Sequence, residues 1–149
     1  MDTHQTVWNE KVAKDIINHL VKRRMEASYA ATADRAREEI LAMIPKGTTV
    51  FRCGSMTAAG MGLWEAIAKL PGVELIDPYQ PEFSREEGLE QRRRGMTADV
   101  MIASSNAITL DGKLVNLDGS GNRVAAMMFG PKKVILVVGM NKVAADVQS

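Results

Sequence analysis

Lys133-Val134-Ile135-Leu136-Val137-Val138-Gly139 carries five apolar residues in a row with no polar alternation. A strand with one wet face alternates, so an unbroken run marks a strand covered on both faces, as in a parallel sheet with helices on each side. Working outward, Thr48 to Cys53 is rich in β-formers, and Val73 to Ile76 and Ala98 to Ser104 read as further strands. Helical patterns lie between them. From Thr32, Ala36, Ile40 and Ile44 recur every four residues and stop at Pro45-Lys46-Gly47. After Gly54-Ser55-Met56-Thr57, the residues Met61, Trp64, Ile67 and Leu70 form the stripe of a single helix. Ser84 with Glu87 is a capping box for a charged helix through Arg94. Val124 to Phe129 is a short helix closed by Gly130-Pro131.

The N-terminal part adds a helix over Val7 to Met25, with Trp8, Val12, Ile16, Leu20 and Val21 at helical spacing, and Glu26 to Ala31 reads as a short edge strand. Ile108 to Leu117 alternates and is broken by Asp111-Gly112, a two-residue hairpin signal. Strands alternating with helices predict an α/β fold: a three-layer α/β/α sandwich with a mostly parallel open sheet, plus a β-hairpin near residues 107–117. The 149 residues suffice for one domain, 1–149.

Lys and Arg number 19 against 18 acidic residues, and this near-neutral balance argues against nucleic acid or a membrane surface as partner. No apolar run approaches the roughly 18–20 residues needed to cross a bilayer. The polar start Met1-Asp2-Thr3-His4-Gln5 does not look like a signal peptide. One cysteine, Cys53, forms no internal disulfide and fits a reducing, cytoplasmic compartment.

Ligands of such sheets bind outside the carboxyl ends of the strands. Four loops there have the composition to hold an anion. Gly54-Ser55-Met56-Thr57 offers backbone N–H groups and two hydroxyls, though Ser55 or Thr57 also serves as an ordinary helix cap. Ser104-Ser105-Asn106 ends a strand with an amide that donates and accepts. Asp118-Gly119-Ser120-Gly121-Asn122-Arg123 puts an acid, a flexible backbone, an amide and a guanidinium directly before a helix. The alternative there is a helix capped by Asn122, with Arg123 on the surface. Gly139-Met140-Asn141-Lys142 brings a lysine toward the same edge. The predicted ligand-binding set is therefore Gly54, Ser55, Thr57, Asn106, Asp118, Gly119, Gly121, Asn122, Arg123 and Lys142.

Among Glu65, Asp99, Asp111 and Asp118, only Asp118 stands in such a loop, which makes it the catalytic candidate. Arg92-Arg93-Arg94 has the composition of an anion site, but it reads rather as a solvated helix end near the negative pole of the helix dipole. Cys53 reads as a small core residue, although a neighbouring helix N-terminus would activate it. His4 and His19 are too far from Cys53 and from each other in sequence to suggest a metal site, so none is expected. The strand, glycine turn, helix and Asp77 are those of a dinucleotide fold, but Gly54 to Gly62 does not fit G-x-G-x-x-G.

At these loops the sequence resembles the lactate-utilisation LUD domain family. The resemblance is carried by Ile44-Pro45-Lys46-Gly47, by Gly54-Ser55-Met56-Thr57 and above all by the run from Ala98 to Lys142. It implies a fold like the ribose-5-phosphate isomerase and coenzyme A transferase group. It also implies a part in oxidising L-lactate to pyruvate beside iron–sulfur partner proteins, any cluster being theirs, with no cofactor in this chain. Cys53 stands where relatives commonly have a glycine, and relatives continue past Ser149, so the C-terminal part of longer members is expected to be lacking. Two other readings stay open: an isomerase- or transferase-like enzyme acting on a phosphorylated sugar or acyl-coenzyme A, and a structural subunit docking an iron–sulfur partner.

Two expectations follow for experiment. Arg123→Ala should weaken anion binding and leave the fold intact. Little sequence remains after Val138 beyond what looks like the first turns of a helix, so apolar surface near that strand should be exposed and join two copies in a homodimer. The alternative is that the first helix folds back to cover it.

Overall fold

The computed structural model describes residues 2–149. In chain order the elements are α1 (Thr3–Lys22), α2 (Ala33–Ala42), β1 (Thr49–Arg52), α3 (Met56–Gly60), α4 (Leu63–Ala68), β2 (Glu74–Ile76) and α5 (Arg85–Gly95). There follow β3 (Val100–Ala103), β4 (Ala107–Thr109), β5 (Leu114–Val115), α6 (Asn122–Met128), β6 (Lys133–Leu136), a 3₁₀ turn (Met140–Lys142) and β7 (Val143–Ala144). β2, β1, β3 and β6 form, in that order, a parallel four-stranded sheet.

The pleat of this sheet sorts side chains between two layers of helix. Val50, Val100, Ile102, Ile135 and Val137 point to one face, where Ile40 of α2 and Leu63, Trp64 and Ile67 of α4 cover them. Phe51, Cys53, Met101 and Ala103 point to the other, against Met96 beyond α5 and Ala126 and Met127 of α6. The result is the three-layer α/β/α sandwich expected. A second sheet, ordered β5, β4, β7, carries the hairpin, and α1 lies on it through Ile16, Leu20 and Ile108.

Several elements differ from the sequence expectation. The strand covered on both faces is β3, every residue of which is buried, whereas β6 stands at the sheet edge with only Ile135 of its four residues buried. Both runs are apolar, and chain topology rather than composition decides which is central. The stripe from Met61 to Leu70 belongs to two helices, because Gly62 takes φ 67, a left-handed conformation that a continuing helix does not allow. Glu26 to Ala31 forms no strand; Met25 and Ala27 are used in packing against the α1 cluster instead of in a ladder. The hairpin loop has three residues, Leu110 to Gly112, with the left-handed Gly112 (φ 77) at its end. After Val138 the chain makes a 3₁₀ turn and then β7, parallel to β4, rather than a helix. Val138 itself packs against Ile16 and Leu20 of α1, while Trp8 is exposed.

Candidate functional site

The chain leaves β1 through α3 and α4 on one face to reach β2, and returns through α5 on the other face to β3. A crevice opens outside the carboxyl ends of strands at such a switch point. Here it is a cleft of about 240 Å³ between Cys53-Gly54, Tyr79, Arg92 and the loop from Asp118 to Arg123.

The loop is held from within. The Arg123 guanidinium donates from Nε to Asp118 Oδ1 (2.9 Å), from Nη1 to the Ser104 carbonyl (3.0 Å), and from Nη2 to Asn106 Oδ1 (2.6 Å) and the Leu117 carbonyl (3.3 Å). Asp118 Oδ2 accepts from the Val124 N–H at 2.6 Å, so this carboxylate, and not Asn122, caps α6 behind the left-handed Gly121. Both side chains are largely buried, Asp118 at 8% exposure and Arg123 at 15%. Burial by itself would raise the Asp118 carboxyl. The Val124 N–H and the Arg123 side chain outweigh it and hold the group below the ordinary carboxylate range. Asp118 is thus held ionised, with each of its oxygens accepting one hydrogen bond from the loop itself.

The opposite wall is built by a second pair. Asp77, itself buried, accepts from Arg52 Nη1 (2.9 Å) and from the Tyr79 N–H (2.9 Å). Each oxygen of Asp77 thus accepts one hydrogen bond from within the chain. Arg52 lies between the Trp64 ring (5.1 Å to its centroid) and the Tyr79 ring (5.4 Å). Arg92 stands over Tyr79 at 5.8 Å. Its neighbours Arg93 and Arg94 pair on the surface with Glu90 and Glu74. Arg92 forms no ion pair among the described residues, and its Nε is buried without a protein partner.

Of the residues lining the cleft, Tyr79 went unnoticed in the sequence and Arg92 was set aside there as part of a solvated helix end. The available signal was helical spacing. Gly95 presses α5 so closely on β1 that a Cβ there would sit 2.3 Å from the Phe51 ring, and Arg92 is three residues earlier on the same face.

Cys53 lines the cleft at 3% exposure. Burial pushes its thiol up from 9.0 to about 12; the Arg123 charge opposes this, Asp118 adds to it and Arg92 opposes it. The thiol is therefore protonated at neutral pH, as a core cysteine should be. Because the folded value is raised, its contribution to stability is complete below pH 9.0 and drains away as pH climbs toward about 12. Alkylation by iodoacetamide at pH 8 should run at least about a hundredfold slower in the native chain than in guanidinium; equal rates would show an accessible thiolate.

Of the ten predicted binding residues, Gly54, Asp118, Gly119, Asn122 and Arg123 line this cleft. Ser55 caps α3, accepting from the Ala58 N–H at 3.0 Å. Thr57 lies one loop away, toward Gly139. Asn106 stands behind Arg123, Gly121 forms the turn into α6, and Lys142 sits on the 3₁₀ turn outside the cleft lining. Among the described residues, no three His, Cys, Asp or Glu side chains cluster as metal ligands, and no helix is long and apolar enough to cross a membrane.

No curated protein and no solved structure matches the chain. Residues 13–149 match the family model of the LUD domain, which spans both sheets and every wall of the cleft. The chain therefore belongs to the LUD domain family, as its loops suggested.

Proposed function

We propose that this is a cytoplasmic lactate-utilisation protein that holds a small carboxylate or phosphate anion in the switch-point cleft. It works beside iron–sulfur partner proteins in the oxidation of L-lactate to pyruvate. The observation that carries the reading is Arg92, a cation without a carboxylate partner at a crevice where α/β sheets bind ligands. The volume, below the roughly 300–1,000 Å³ of ordinary ligand pockets, suits an anion of a few heavy atoms and not a whole acyl-coenzyme A. The engaged state of Asp118 also counts against an isomerase, which needs a free carboxylate.

Titrating L-lactate, pyruvate and inorganic phosphate into the labelled chain and following amide shifts tests the reading. Saturable shifts should centre on Gly54, Gly119 and Asn122. Shifts that are absent, or that scatter over the surface, would remove the cleft as an anion site.

Docking of a partner protein is a second role, favoured by Met128 and Phe129, which are 79% and 91% exposed at the end of α6. A homodimer through the unpaired outer edge of β6 is compatible with both.

A further inference from the structure

The apolar run from Val134 to Val138 has the composition of an interior strand, yet β6 stands at the edge of its sheet with β3 as its one neighbour. A parallel ladder engages alternate residues of a strand. The N–H groups of Lys133 and Val137 donate to the Asp99 and Ala103 carbonyls at 3.0 and 2.8 Å, which fixes the side that β6 turns to β3. The N–H and C=O groups of Val134 and Leu136 therefore point outward, and among the described residues they have no backbone partner.

The sequence treats the two edges of this sheet differently. At the other edge β2 has three residues, and its first, Glu74, is an exposed charge paired with Arg94. Short length and a charge are how an edge is kept from pairing. β6 has four residues, and after Lys133 no charge, proline or glycine follows until Gly139. Its edge is unprotected, and an added strand would satisfy it.

A second copy of β6 has the right complement. Laid antiparallel about a twofold axis at Ile135, Val134 of each copy faces Leu136 of the other, and the two exchange the main-chain bonds that each copy leaves free. Ile135 then faces Ile135, and Lys133 faces Val137, so apolar residues meet and no like charges are opposed. A net charge of +1 gives two copies little to repel. Met128 and Phe129, exposed just before β6 in the chain, supply apolar area around the ladder. Such a contact uses each free edge once and closes.

We propose that two copies of this chain join through β6, edge to edge and antiparallel, so that their four-stranded sheets become one continuous sheet. The strands run in opposite directions on the two sides of the axis. The two clefts, each at the carboxyl ends of its own strands, therefore open at opposite rims, and neither copy covers the other's. The pairing is thus independent of the anion-binding reading, and either stands if the other fails.

Sedimentation equilibrium of the full chain across a dilution series from millimolar downward tests it, with amide exchange read residue by residue on the same samples. A dimer is expected, in which the Val134 and Leu136 amides are protected at high concentration and exchange freely on dilution. Val134→Pro removes an outward N–H that the single copy does not use, a change that edge strands accept. It should raise the dimer dissociation constant about tenfold or more, and a thermal melt shows whether the variant folds. A monomer at every concentration would overturn the proposal. So would a dimer whose Val134 and Leu136 amides stay unprotected, or one that a folded Val134→Pro leaves unchanged. If Val134→Pro does not fold, amide exchange in the wild type decides alone.

Discussion

Arg123→Ala is expected to destabilise the chain by about 1–3 kcal/mol, the usual consequence of leaving a hydrogen-bonded charge without its partner. The truncation leaves the Asp118 carboxylate buried without its counter-charge and takes a donor from the Ser104 and Leu117 carbonyls. This differs from the expectation that the fold would stay intact, and the reason is local. A guanidinium that looks free in a glycine-rich loop is engaged with two segments of its own chain, Ser104 to Asn106 and Leu117-Asp118. Urea unfolding measures the effect as a lower midpoint at unchanged slope. Arg123→Met combined with Asp118→Asn should recover part of the loss, because neighbours that share one interaction do not add. A loss within about 0.5 kcal/mol, ordinary for an uninvolved surface site, would show that the hub carries no weight.

Gly95→Ala should be the next most damaging change. In an exposed helix the substitution usually stabilises by about 0.5–1 kcal/mol. Here the new Cβ would meet Phe51 Cδ1 at 2.3 Å, and Phe51 is fully buried beneath α5. Overpacking of this kind typically costs about 1–3 kcal/mol, so the sign reverses. Moving α5 outward to relieve the clash also moves Arg92, so the anion binding proposed for the cleft should fall along with stability. Melting and titration on the same sample read both. A stabilised Gly95→Ala protein would show that α5 does not pack on Phe51 as described.

The parts of this molecule that could be read from its sequence are those set by local chemistry. The capping box of α5 forms as Ser84 and Glu87 announce, and the cap of α2 forms at Thr32. The hairpin predicted from alternation forms, and so do the four strands of the main sheet. What could not be read depends on position in three dimensions. Val100–Ala103 and Val134–Val138 are equally apolar, yet only the first is flanked by a strand on each side. Three adjacent arginines have the same composition, and only docking at Gly95 turns Arg92 inward while Arg93 and Arg94 find surface partners. Asp118 and Arg123 stand out in the sequence as an acid and a guanidinium in one loop. That they would satisfy each other depends on the Ser104 carbonyl and Asn106, which the strand order brings beneath them.

The small sheet has a consequence for how the molecule opens. It is closed by contacts between the two ends of the chain, Ile16 and Leu20 of α1 meeting Val138 and Val143, around strands of only two or three residues. Contacts so distant in sequence carry a large loop-closure entropy, and such short ladders return little for it. This half of the molecule is therefore the cooperative unit that unfolds first, and its amides should exchange with solvent before those of β1 and β3. Arg123 grips Asn106 where the chain passes from β3 into β4, at the seam between the two units. A fluctuation that peels the small sheet away loosens one anchor of the Asp118–Arg123 loop, so local breathing in one unit is felt at the cleft in the other.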